Sequence, residues 1–427
     1  LPPYHPDTEV IRRDWANYYD QITRMDEQVG KVLEELEQSG LSDETIVFYY
    51  SDHGGALPRG KRNIHDSGTR VPLIIRIPSK WSHLAPASPG EWVDELVSFV
   101  DLPASVFNLC GVPIPANYEG RPFLGEHRAA PREHVFLYRG RMDERYDTVR
   151  AVRTADFRYV RNYTPHRPWG QHYSYPFQVL PSMRSWYDEF TAGRCNAVQA
   201  AYWGRKPGEE LYRVAGDAFE IDNAIADPQY AEELAELRSA LSAEILESRD
   251  TGFIPEGMYD QLAGEGTIYD YAHSQAYPLE RILELANQAS DGDVRHLPDY
   301  LAEMDDPHPL VRYWATTGCL ILGEQIPAQA REAAMPKLRE RLNDTTYDVR
   351  VVAAETIGLL GDREAAMRTI ADVLKHGNQY EALAAQNALD FMWQAGTMSL
   401  AQAQSLVRDL EFSEPGDRIP RYLLSQE

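Results

Sequence analysis

The sequence predicts an α/β chain followed by a small antiparallel sheet and then an all-helical repeat module. Three observations predict this. Two apolar runs, Ile46–Tyr50 and Leu73–Ile77, flank a polar, Gly-rich loop. That is how an open α/β sheet builds a site at the carboxyl end of a strand. Short aromatic and β-branched runs at Val135–Tyr138, Asp147–Val152 and Phe157–Tyr163 alternate with polar turns, which reads as antiparallel pairing. Finally, Val311-Arg312 and Leu322-Gly323 recur as Val349-Arg350 and Leu360-Gly361, both at an offset of 38 residues, the mark of a helical repeat. The expected segments are 1–132, 133–252 and 278–415.

Within the first segment, Asp7 or Thr8 caps a helix reaching about Ser39, because a short side-chain oxygen satisfies the first free amides. Trp15, Tyr18, Tyr19, Ile22, Met25, Val29, Val32, Leu33 and Leu36 recur at helical spacing and mark its buried face. Gly40 suits the left-handed stop. A helix around Asp101 and Pro103 ends at Gly111 and Pro113. In the second segment, Glu210–Val214 adds a strand. Pro228 then opens a helix with Leu234, Leu237, Leu241 and Ile245 on one face. Residues 164–206, rich in Trp, Tyr, Pro and His, read as a long irregular insertion, either a sugar-stacking wall or a covered excursion. From about 278 onward the repeats are expected to fold as a separable helical unit, with terminal helices capping the stack.

Composition excludes some functions. A formal charge of −24 argues against nucleic-acid partners, which need a basic face. No run reaches the roughly 18 apolar residues of a membrane span. Cys110, Cys195 and Cys319 lie far apart without metal-ligand spacing and read as small apolar residues.

The chemistry concentrates in Ser51-Asp52-His53-Gly54-Gly55 and Gly60-Lys61-Arg62-Asn63-Ile64-His65-Asp66-Ser67-Gly68-Thr69-Arg70. Asp52 and His53 are candidate metal ligands. Asp52 suits calcium, whereas His53 suits zinc or manganese better. Lys61 is a nearby cation able to stabilise charge developing on sulfuryl or phosphoryl oxygens. His65 has the intrinsic acidity to protonate a leaving oxygen, or serves only the loop's packing. Arg141, Asp143, Glu144 and Arg145 sit between two strands. They read either as a solvated hairpin tip or as a substrate-binding loop.

These motifs resemble the sulfatase family of the alkaline-phosphatase superfamily. The likeness rests on Asp52-His53-Gly54, Gly60-Lys61 and the Asp66–Pro72 run. It extends to Glu210-Leu211-Tyr212 and Asp222–Pro228, with bacterial heparan N-sulfatase-like and arylsulfatase enzymes as the nearest subgroup. His65 stands where the family usually has Tyr. The resemblance implies an alkaline-phosphatase-like sandwich, calcium, and hydrolysis of a sulfate ester or N-sulfo group on a sulfated glycan. It also implies a formylglycine nucleophile, whose Cys/Ser-x-Pro-x-Arg motif does not occur here. The chain is therefore expected to be the C-terminal part of a longer enzyme. The repeat module resembles HEAT-like repeats, which implies a surface for a protein partner. Two alternatives remain: a metal-dependent phosphodiester or phosphonate monoester hydrolase, and a catalytically silent binding or scaffold protein.

Overall fold

Thr8 starts the first helix, α1 (Glu9–Gln38), by accepting the Ile11 amide on its hydroxyl. Gly40 stops it in the left-handed region at φ 72°, where a side chain would be strained. These are the opening elements of a computed structural model describing residues 1–426. The expected buried face of α1 is largely open. Ile11 is its one fully buried residue, whereas Tyr19 is 60% and Val32 64% exposed. The N-terminal turns pack most, with Asp14 accepting from the Ser182 amide at 3.1 Å, and farther along Met25 Sδ accepts from the Tyr49 hydroxyl at 3.3 Å.

β1 (Val47–Tyr50) and β2 (Leu73–Arg76) pair antiparallel, Val47 with Arg76 and Tyr50 with Leu73. The two strands expected to flank the site loop are thus present, and they pair with each other in antiparallel register. Among the described residues no third strand pairs with either edge. Tyr50 and Ile74 are exposed on this ribbon, and Trp92 and Phe99 add apolar surface in the following segment. Between the two strands lies the candidate loop, ending in the single-turn α2 (Asp66–Thr69). α3 (Asp101–Leu109) follows. No helix among the described residues is long and apolar enough to cross a membrane.

The second sheet is antiparallel in the order β3 (Val135–Arg139), β4 (Val149–Arg153), β5 (Phe157–Asn162), β6 (Glu209–Arg213). Strand alternation sends its side chains into two cores. Val152, Tyr159 and Leu211 face α7 (Ala231–Glu247) through Leu234, Leu237, Leu241 and Ile245. On the opposite face, Val149, Ala151 and Val160 pack with Ile11, Ile64, Trp169, Trp186 and Trp203. The aromatic insertion is thus not irregular. It forms α4 (Ser174–Val179), α5 (Pro181–Thr191) and α6 (Ala197–Ala201). Nor is it a sugar-stacking wall. Trp186 stacks on Tyr202 at 4.5 Å inside the second core, and in α4 Tyr175 alone keeps an exposed ring.

The rest is helical: α8 (Tyr259–Ala263), α9 (Ile268–Ala272), α10 (Leu279–Asp291), α11 (Leu297–Glu303), α12 (Pro309–Leu322) and α13 (Ala328–Arg341). Then come α14 (Tyr347–Leu359), α15 (Arg363–His376), α16 (Gln379–Gln394), α17 (Leu400–Val407) and α18 (Arg418–Ser425). The repeated Val-Arg pair has a packing role. Arg312 forks onto Asp344, both bonds at 2.8 Å, and Arg350 reaches Asp372 at 3.2 Å. Each arginine ties one helix to an acid farther along the chain. The array is not set apart from the sheet, however. Trp314 donates to the Phe253 carbonyl at 2.9 Å, and Arg167 forks onto Glu355 with both bonds at 2.6 Å. One continuous core runs from Val152 to Leu423. A helical unit cut free near residue 278 would therefore expose Trp314 and leave Glu355 unpaired, contrary to the separable unit expected from the repeats.

Asp348, at the start of α14, is buried, and its Oδ2 has no hydrogen-bond partner. Burial first, then the neighbouring Glu381 and Glu256, pushes its pKa up to about 8. The unfolded carboxyl ionises near 3.8, so between these values the folded chain holds the extra proton. Stability therefore falls as pH rises through this window, by up to about 1.4 kcal/mol per unit. Asp348→Asn should flatten that slope and raise the thermal midpoint at pH 8. Melting curves with an unchanged slope in the variant would contradict this.

Candidate active site

The 51–72 loop folds back on itself through its backbone. Gly54 N–H donates to Gly68 O at 2.9 Å and Lys61 N–H to Gly55 O at 2.8 Å. Glycine is required at the crossings. A Cβ on Gly68 would lie 2.2 Å from Asn63 O, and one on Gly60 would lie 2.1 Å from Gly55 O. Arg59 and Arg62 adopt positive φ of 64° and 76°, a strained setting for such side chains. Outside contacts hold both. Arg59 donates to the carbonyls of Phe219 and Glu220 at 2.6 and 2.7 Å. Arg62 donates to Asp143 Oδ2 at 2.5 and 3.0 Å.

Asp66 anchors the far end. Its amide donates to Glu220 Oε2 at 2.5 Å, and its carboxylate meets Arg158 and Arg153. Burial alone would raise the Asp66 pKa, but the two arginines outweigh it and hold it below the ordinary value. Sequence reasoning missed Arg158 and Glu220. The one available signal was the pair of arginines, Arg158 and Arg161, inside the aromatic and β-branched Phe157–Tyr163 run.

At the tip, the Asp52 side chain is 82% exposed, with Oδ2 3.2 Å from His53 Nε2. His53 Nδ1 lies 2.9 Å from the Gly54 carbonyl, which can only accept, so Nδ1 carries a proton. In neutral imidazole, Nε2 then bears a lone pair facing a carboxylate oxygen. Such a pair of donors fits a divalent cation. Among the described residues, no group of three or more His, Cys, Asp or Glu side chains could hold a metal ion. Lys61 is half-buried, and no hydrogen bond or ion pair engages its ammonium among the described residues. Among the described residues it is a free cation, on a loop closed by its own backbone bonds.

The other expected site residues are placed differently. His65 turns inward and is 1% exposed, with its ring 5.2 Å from Trp169 and Nε2 3.9 Å from Glu210. Burial, and then Arg59, lowers its pKa. A neutral, enclosed imidazole is not set to protonate a leaving group, which corrects that expectation. The Arg141–Arg145 loop is not a solvated tip. Arg145 pairs with Asp390 at 2.6 Å and donates to the His172 carbonyl at 2.7 Å. Buried Glu144 accepts the Ser174 amide at 2.5 Å and meets Arg418 at 3.3 Å. Arg141 pairs with Glu256, and Asp143 bridges Arg62 and Arg418. The loop is a junction between the sheet and the helical array. Its four charged side chains are taken up by protein partners rather than free for substrate. Cys319 is buried and Cys110 ends α3; neither lies in a formylglycine motif.

Residues 3–112, which carry this loop, match the sulfatase family model. Over 259 residues the chain is 37% identical to an ulvan-active sulfatase of Formosa agariphila, covering 60% of this chain and 42% of that protein. It is 27% identical over 275 residues to the human N-sulphoglucosamine sulphohydrolase, covering 61% and 53%. A solved 2-O GAG sulfatase aligns at 23% identity over 59% of this chain and 45% of that one, with a TM-score of 0.38. The chain thus spans about half the length of the curated relatives it matches.

Proposed function

We propose that the 51–72 loop is one half of a sulfuric ester hydrolase site acting on a sulfated glycan, within an alkaline-phosphatase-like sandwich. The observation that carries this is the free Lys61 ammonium on a backbone-locked loop that also presents Asp52 and His53. In this reading Lys61 contacts the sulfate, where a fixed cation stabilises developing charge. Asp52 and His53 would hold a divalent ion, which when bound withdraws charge from the sulfuryl oxygens. Calcium takes about 6–8 oxygen ligands, so the remaining ligands and the formylglycine nucleophile come from polypeptide outside this chain. The open apolar face of α1 and the two unpaired edges of the β1–β2 ribbon support this, because such surfaces ordinarily have a covering partner.

Calcium should sit directly on Asp52, about 2.3–2.6 Å from a carboxylate oxygen. Anomalous diffraction from the complete, metal-loaded enzyme tests this, and an ion bound away from Asp52 would refute it. His53 favours a second reading, a phosphodiester or phosphonate monoester hydrolase using manganese or zinc. Turnover of an aryl sulfate against an aryl phosphate diester by the complete enzyme separates the two. The helical array, read as HEAT-like repeats spanning about 278–415, would offer a surface to a protein partner, and the helix that follows it would brace the site loop through Arg418 and Asp143.

A further inference from the structure

Among the described residues, five that are not glycine take a positive φ: Arg59, Arg62, Asp143, Glu220 and Arg249. Four of them form two hydrogen-bonded pairs. Arg59, at 64°, donates to the Phe219 and Glu220 carbonyls at 2.6 and 2.7 Å, and Glu220 itself sits at 51°. Arg62, at 76°, donates twice to one Asp143 oxygen, at 2.5 and 3.0 Å, and Asp143 also sits at 51°. Lys61 lies between the two arginines. A turn needs one left-handed residue, but nothing in turn geometry asks its hydrogen-bond partner to be left-handed too. Such backbone is costly at a residue that carries a side chain, and it persists only where the surroundings over-determine it.

The surroundings do so here. The φ of Glu220 sets the angle between the two peptide units whose carbonyls share the Arg59 guanidinium. Its buried carboxylate meets Arg158 and accepts the Asp66 amide at 2.5 Å. One residue thus holds the loop on both sides of Lys61, at Arg59 and at Asp66. Asp143 is fixed in turn by Arg418 at 3.3 Å, and Arg141 donates to its carbonyl at 2.7 Å. The Lys61 ammonium has no partner of its own among the described residues, so its place is set by the backbone that carries it. We propose that Glu220 and Asp143 are positioning residues for Lys61, clamping the peptide on either side of it so that the ammonium stands where the sulfate oxygens arrive. This rests on the reading of Lys61 as the sulfate-contacting cation.

Asp143→Gly tests the clamp, because glycine accepts the left-handed backbone and removes only the carboxylate. In the complete enzyme acting on an aryl sulfate it should lower kcat about tenfold or more and leave KM within about threefold, since a misplacement of about 1 Å can cost roughly a hundredfold. Asp143→Asn, which keeps an oxygen for Arg62, should recover most of the loss. Arg62→Gly breaks the same bond, carries the test if Asp143→Gly fails to fold, and combined with it should be no slower than either alone. Glu220→Gln, which keeps an acceptor for the Asp66 amide, should retain more turnover than Glu220→Gly. Hydrogen exchange on residues 1–427 reads the clamp without chemistry: the amides of 59–66 should exchange about tenfold faster in Asp143→Gly, with those of β4 and β5 unchanged. A lowered thermal midpoint with wild-type kcat in the folded glycine variants, a loss that asparagine does not recover, or unmoved exchange would overturn the proposal. If Lys61→Ala is slow while the clamp variants keep wild-type kcat, this inference alone fails. Wild-type kinetics in Lys61→Ala would remove the reading beneath it and the inference with it.

Discussion

Lys61→Ala in the complete enzyme should lower kcat for an aryl sulfate about a hundredfold, the usual order for losing one preorganised charge contact. Its fold should be unaffected, because the ammonium has no protein partner among the described residues. Lys61 N–H does bond Gly55 O at 2.8 Å, but that is a backbone contact which alanine keeps. A loss of turnover with an unchanged melting curve would assign the cation to chemistry. Wild-type kinetics in a folded variant would remove Lys61 from the site.

Arg145→Ala should instead cost stability. The guanidinium and the Asp390 carboxylate are both almost fully enclosed and 2.6 Å apart. Asn387 and the His172 carbonyl complete the guanidinium's surroundings. Removing one partner strands a buried charge, at a cost of about 3–5 kcal/mol. Arg145→Met combined with Asp390→Leu should recover most of that, since an apolar pair of similar volume carries no desolvation penalty. Denaturant melts of the three variants measure this. If Arg145 were a substrate ligand, the single variant would melt normally and raise KM, and the structural assignment would be wrong.

These two residues show what the sequence made legible. Lys61 lies in a local Gly-Lys motif, so its neighbours in space are largely its neighbours in the chain. Arg145 also stands out by its charge. Its partner, however, lies on α16 far along the sequence, and no local pattern announces that pairing. Helix caps and strand runs were legible for the same reason as Lys61. Thr8, Gly40 and the α7 apolar face act within a few residues of themselves. Burial of α1 was not legible, because amphipathic spacing marks a face but not what covers it. For His65 the sequence left a proton donor and a packing residue both open, and burial places it with the second. Trp169 and Tyr212, which enclose it, come from the insertion and from β6.

As half of a site, the proposed loop needs a nucleophile and further metal ligands beyond Asp52 and His53. Sulfate release from an aryl sulfate by purified residues 1–427 with added calcium, manganese or zinc tests it most directly. The expected result is no release above buffer, and release once a formylglycine-bearing segment is supplied. Metal-dependent turnover by residues 1–427 alone, free of any longer chain, would contradict it.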